Sequence, residues 1–154
     1  MLVYRFYKSA YLADPLSAEG ARRAGGRWNP KGYPILYTSS TPELALLEVV
    51  AHLDPRFVPA FNLLVLELPD SDLRTIRQTE LPADWRTPDA FERGQAYLLD
   101  WLRQPDTLTV SVPSAIMPRS LNVLLHTEHP AFGQAVQMVE NEPFVVDSRL
   151  YDSQ

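Results

Sequence analysis

At 154 residues, with no cysteine and a net charge of −5, the chain excludes several classes of protein at once. Its length is close to the roughly 150 residues of one domain, here residues 1–154, and is enough to bury a core without disulfide or metal. The lack of cysteine removes disulfides, thiol nucleophiles and cysteine-type zinc sites and fits a reducing cytoplasm, while the acidic balance argues against direct nucleic-acid binding. No stretch nears the ~20 apolar residues of a membrane span, and Met1–Arg5 lacks the basic, then apolar start of a signal peptide.

The fourteen prolines punctuate many short elements. Val3 to Tyr7 reads as a strand bounded by the Asp14-Pro15 turn. Residues 17–34, poor in aliphatics and rich in glycine, read as a loop with functional freedom. Pro34 to Thr38 predicts a short buried strand. Ser40-Thr41-Pro42-Glu43 starts a helix, either as a capping box between Ser40 and Glu43 or with Thr41 as N-cap and Pro42 in the first turn. That helix runs through Ala51 and stops before Asp54-Pro55. Phe61 to Leu68 is a strand. Thr87-Pro88 opens a second helix, with Phe91, Leu98, Trp101 and Leu102 at helical spacing. Thr107 to Val112 alternates as a strand, and Phe144 to Asp147 reads as another. Strands and helices mixed without regular βαβ alternation give an α+β class.

The chemistry concentrates in residues 25–48. Arg5, Lys8, Arg22, Arg23, Arg27 and Lys31 face only Asp14 and Glu19 within the first forty residues, a local positive region that suits a small anionic ligand. Among all the basic residues only Lys8 and Lys31 are lysine, which favours forked recognition; Arg22 and Arg23 also fit a solvated basic face. Gly25 and Gly26 allow positive φ or close approach of a ligand, and Arg27 beside them offers a planar fork for phosphate or carboxylate. Glu48 shares its helix face with Leu44, Ala51 and His52. A carboxylate in such apolar company is costly without a partner or a purpose, so Glu48 is the leading candidate for a catalytic group. Trp28 and Tyr37 either stack on a ligand ring or pack in the core. Ser114 follows Val112-Pro113 at the end of a strand; with no Gly-x-Ser-x-Gly around it, it is a hydrogen-bonding residue or a serine satisfying a turn. His126 and His129 lack a third ligand, and with His52 they are assigned to no metal. Walker-type and dinucleotide-binding glycine signatures are missing.

Taken in order, Gly26-Arg27-Trp28-Asn29, Leu36-Tyr37-Thr38, Ala45-Leu46-Leu47-Glu48 and Val112-Pro113-Ser114, with Asn122 and His129-Pro130 downstream, resemble the RES domain family, named for an arginine, a glutamate and a serine. The likeness runs over almost the whole chain, from Tyr4-Arg5 to Asp147-Ser148-Arg149-Leu150. It departs at His126-Thr127, where many relatives have Asn-Pro. The resemblance implies a bacterial toxin of a toxin–antitoxin pair with an ADP-ribosyltransferase-like fold, a mixed and mainly antiparallel sheet flanked by helices. It implies degradation of NAD+ at the nicotinamide–ribose bond, with phosphate or water as acceptor. Mono-ADP-ribosylation of a protein is the alternative, and a non-catalytic nucleotide- or partner-binding module is a rival of another class. By motif position the resemblance makes Arg27, Tyr37, Glu48 and Ser114 catalytic and Arg27, Trp28, Tyr37, Ser114 and Asn122 NAD+-binding. In that scheme Glu48 stabilises an oxocarbenium-like state and Arg27 anchors the diphosphate. Tyr37 orients the nicotinamide end, Ser114 and Asn122 position sugar hydroxyls or the acceptor, and the glycines let the Arg27 loop close over the dinucleotide. No metal or further cofactor is required. The expected partner is an Xre-like helix-turn-helix antitoxin covering the active site.

Overall fold

The structure, a computed structural model, describes residues 1–71 and 73–152. Its strands are β1 (Leu2–Lys8), β2 (Ile35–Ser39), β3 (Phe61–Glu67), β4 (Leu73–Thr75), β5 (Thr109–Pro113), β6 (Leu121–His126) and β7 (Gln137–Phe144). They form one sheet in the order β4-β5-β6-β2-β1-β3-β7. Among the described residues only the β4–β5 pair is parallel, so the class is the expected α+β with a mixed, mainly antiparallel sheet. The helices are α1 (Glu19–Ala24), α2 (Pro42–Ala51), α3 (Phe91–Tyr97), α4 (Leu99–Arg103) and α5 (Phe132–Ala135). No helix among the described residues is long and apolar enough to cross a membrane.

Apolar side chains cover both faces of the sheet centre, because successive strand residues point to opposite sides. Val123 and Leu125 of β6 join Leu36 and Leu64 in one cluster, while Leu124 joins Ile35, Trp101 and Val110 in the other. Burial of each such side chain is worth about 1.5–3 kcal/mol. β1 pairs with β3 at every position from Leu2↔Glu67 to Lys8↔Phe61, but with β2 only at Tyr4↔Ser39. The sheet therefore parts between β1 and β2. α2 packs over β1, with Ala45 among Phe6, Phe61 and Val146. Its start follows the second of the two expected caps: Thr41 Oγ1 accepts from the Leu44 N–H at 3.2 Å and Pro42 occupies the first turn.

Three expectations are corrected. The loop of residues 17–34 contains α1, whose Glu19 accepts from Arg22 and Arg23 and whose end is closed by Gly25 at φ 72°. Glycine density obscured a short Ala/Arg/Glu helix, and Arg22 and Arg23 are its ion-pair partners. The helix from Thr87 is a 3-10 turn at Pro88–Ala90 followed by α3 and α4, with the bend at the fully buried Leu98; Leu98, Trp101 and Leu102 share one buried cluster, whereas Phe91 is exposed. The last strand is not Phe144–Asp147 but β7, which ends at Phe144. β7 is an edge strand, mostly exposed and carrying Glu140 and Glu142, so it lacks the apolar signal that drew attention to Val145 and Val146. Val145 is in fact 90% exposed.

Candidate active site

Where β1 and β2 part, a cavity of about 1310 Å3 opens, walled by both strands, the α1–β2 loop, α2, and residues around Arg86, Phe91 and Ile116. Glu48 enters it from α2, one turn beyond Leu44 and Ala45, the buried positions that seat the helix. Its Oε1 accepts two hydrogen bonds, from Ser114 Oγ at 2.8 Å and from Asn122 Nδ2 at 2.6 Å. Hydrogen bonds to a carboxylate are the strong kind. Among the described residues none donates to Oε2, so protein donors hold one oxygen of a carboxylate that lines the cavity.

Ser114 is completely buried. Its Oγ also accepts from the Ile116 and Met117 N–H groups, both at 3.1 Å, so the turn-satisfying serine and the hydrogen-bonding serine are the same residue. It stands behind Glu48 and does not itself line the cavity. Asn122 lies on β6, opposite Ser39 of β2, and its Oδ1 accepts from Ser39 Oγ at 2.8 Å. Both residues expected to meet sugar or acceptor thus spend hydrogen bonds on Glu48.

The loop carrying Arg27 is pinned, not loose. Asn29, without exposed surface, donates from Nδ2 to the carbonyls of Ala21, Pro30 and Tyr33 at 3.0, 3.1 and 3.1 Å. Its Oδ1 accepts from the Tyr37 hydroxyl at 2.6 Å, and that hydroxyl accepts from the Trp28 N–H at 3.2 Å. A Cβ at Gly26 would stand 2.8 Å from Tyr37 Oη. This glycine therefore makes room for the packing of Tyr37. Trp28 packs in the core, 3% exposed and near Trp85, and it also lines the cavity. Tyr37 lines the cavity with its hydroxyl already engaged, and burial pushes its phenol well above the ordinary range. The guanidinium of Arg27 donates to the Trp85 carbonyl at 2.9 Å and lies 4.5 Å from the centre of the Phe91 ring. Burial lowers its pKa, opposed by the charges of Glu48 and Tyr37, with the neighbouring Arg86 adding to the lowering.

Two further arginines were not expected at the site. Arg5, on β1, donates from Nη1 to the Tyr37 carbonyl at 3.2 Å, while its buried Nε has no partner among the described residues; burial lowers it to about 10, so it remains a cation at neutral pH. Arg86 lines the cavity and is anchored by Nε to the Ala115 carbonyl at 2.9 Å. Among the described residues no carboxylate lies within ion-pair distance of Arg5, Arg27 or Arg86. The sequence did hold a signal for Arg5: a cation inside the apolar run Val3-Tyr4-Arg5-Phe6-Tyr7 is as anomalous as Glu48 in its helix. His52 also lines the cavity, with Nδ1 2.8 Å from the Glu48 carbonyl. His126 is buried edge-on to Trp101, and among the described residues no cluster suited to a metal occurs.

Residues 2–147 match the RES domain. The chain is 40% identical to Toxin Res of Pseudomonas putida over 159 residues, covering 98% of this chain and 100% of that protein. It is 36% identical to the Prs ADP-ribosylating toxin of Sphingobium sp. over 124 residues, 78% of this chain and 77% of that one. With the NAD(+) phosphorylase MbcT of Mycobacterium tuberculosis it shares 35% identity over 95 residues, 57% of this chain and 50% of that one. In fold it is similar to a chain in the crystal structure of the M. tuberculosis MbcT–MbcA toxin–antitoxin complex, with a TM-score of 0.76 at 22% identity over 97% of this chain and 86% of that chain. The match along nearly its entire length shows that the chain belongs to the RES domain family.

Proposed function

We propose that this protein is a toxin that consumes NAD+ by cleaving the nicotinamide–ribose bond. The observation that carries this reading is the half-held carboxylate of Glu48 in a cavity with three arginines that, among the described residues, lack carboxylate partners. The arginines suit a diphosphate, and the cavity has room for a dinucleotide. As the glycosidic bond breaks, its electron pair passes to the pyridinium nitrogen and nicotinamide leaves neutral. Positive charge then develops on the ribose, where Glu48 Oε2 can stabilise it and hold a ribose hydroxyl. Fixed charge of this kind typically contributes a factor of about 10²–10³ to the rate. A phosphate oxygen then bonds to the anomeric carbon and gives ADP-ribose phosphate; water in its place gives ADP-ribose and a proton. Ser114 and Asn122 hold Glu48 in position, Tyr37 presents its ring to the nicotinamide end, and Arg27 with Arg5 and Arg86 takes the diphosphate. No metal enters these steps.

The relatives named Toxin Res and NAD(+) phosphorylase support both halves of the reading, and the MbcT–MbcA complex supports a protein antitoxin as partner. An Xre-like helix-turn-helix protein covering the cavity is the partner we propose. The test is incubation of the purified protein with NAD+, with and without phosphate, and chromatography of the products. Nicotinamide release in either condition is expected, and intact NAD+ in both refutes it. A second reading, transfer of ADP-ribose to a protein, draws support from the relative named a Prs ADP-ribosylating toxin; label from NAD+ retained on a protein band would favour it.

A further inference from the structure

We propose that Ser39 is a positioning residue for Glu48, acting through the amide of Asn122. This rests on the reading of Glu48 as the group that meets the substrate. A carboxylate only accepts hydrogen bonds, so the Asn122 end facing Glu48 Oε1 must be Nδ2, which lies 2.6 Å away. Oδ1 then points back toward β2, where the Ser39 hydroxyl must donate, at 2.8 Å. Every polarity along this chain of hydrogen bonds is set by the charge at its end, and bonds linked in this way strengthen one another.

The backbone places Ser39 for this task. It is buried, it stands directly opposite Asn122 in the β2–β6 register, and it also occupies the single position where β1 meets β2. Its backbone is therefore held among three adjacent strands at the point where the sheet parts, and its hydroxyl is tied to Asn122. Glu48, by contrast, rides on a helix and is tied to the sheet by two arms, Ser114 at the end of β5 and Ser39–Asn122 across β2 and β6. Removing the Ser39 hydroxyl leaves Oδ1 of Asn122 without its donor and frees the amide to rotate. One of the two arms then slackens, while Arg5, Arg27 and Arg86 keep their backbone-carbonyl partners.

The test is steady-state nicotinamide release by Ser39→Ala, Asn122→Ala and the double variant, with Glu48→Gln beside them. Loss of one buried hydrogen bond to a charged network predicts a kcat about tenfold lower in Ser39→Ala, with KM for NAD+ within about twofold of the parent. In the Asn122→Ala background the same change should have no further effect, because the arm is already cut. A parental kcat in Ser39→Ala, or an equal loss in both backgrounds, overturns the inference. If Glu48→Gln turns over NAD+ like the parent, the reading of Glu48 fails and takes this inference with it. If Glu48→Gln is inactive while Ser39→Ala is not slowed, only the role of Ser39 fails.

Discussion

A carboxylate with two donors on one oxygen and, among the described residues, none on the other is both fixed and available, and this asymmetry defines Glu48. The arginines differ in kind: they are positioned by backbone carbonyls, which orient a guanidinium without neutralising it. Arg27→Ala should therefore raise KM for NAD+ by about tenfold or more while lowering kcat less, since hydrogen bonds to charged groups are worth about 1.5–3 kcal/mol; an unchanged KM contradicts the diphosphate assignment. Gly26→Ala should destabilise the fold by about 1–3 kcal/mol, read from urea denaturation, because the new methyl would meet Tyr37 Oη at 2.8 Å. Glu48 and Arg27 were legible in the sequence because each is out of keeping with its neighbours. Arg5 carried the same signal, although in the sequence it counts only among the basic residues of the first forty positions. The roles of Asn122 and Ser114 toward Glu48 depend on strand register and on a turn at residues 114–117, which no local pattern reveals.

Among the elements, α2 and the strands with strong apolar character were readable from spacing and caps. Thr41→Ala should lower stability by about 1 kcal/mol, measured as the shift in urea midpoint, because the Leu44 N–H loses its acceptor; no shift would mean that Ser40 and not Thr41 caps the helix. The elements that escaped reading have physical reasons. α1 is six residues long and bordered by glycine, so its ion pairs carry more of its identity than any apolar periodicity. β6, which supplies Asn122, lies in the run Leu121–His126, whose apolar residues are buried on both faces and so show no alternation. β7 is the opposite case, an exposed edge whose pairing with β3 is interrupted by a bulge at Val65/Leu66.

At the scale of the molecule, the parting of β1 and β2 creates the cavity, and the flanking clusters hold it open. His126 sits in one of those flanks. Its Nε2 lies 3.0 Å from the Leu102 carbonyl, and its buried Nδ1 has no partner among the described residues. Burial pushes its pKa below 6.5, opposed by the Leu102 carbonyl and Glu128, with His129 adding to the lowering. The unfolded chain binds that proton more readily, so the stabilisation from neutral His126 is complete above about pH 6.5 and is lost progressively as pH falls. Glu19 and Asp147, held to about 2 by their arginines, do not enter that window. The urea midpoint should fall between about pH 7.5 and about pH 5.5; a midpoint that rises on acidification contradicts this. The central claim is that the cavity destroys NAD+ through Glu48, and nicotinamide release by the parent and by folded Glu48→Gln tests it most directly. We expect turnover in the parent and a loss of about a hundredfold or more in the variant, whereas equal release by both, or none by the folded parent, would contradict it.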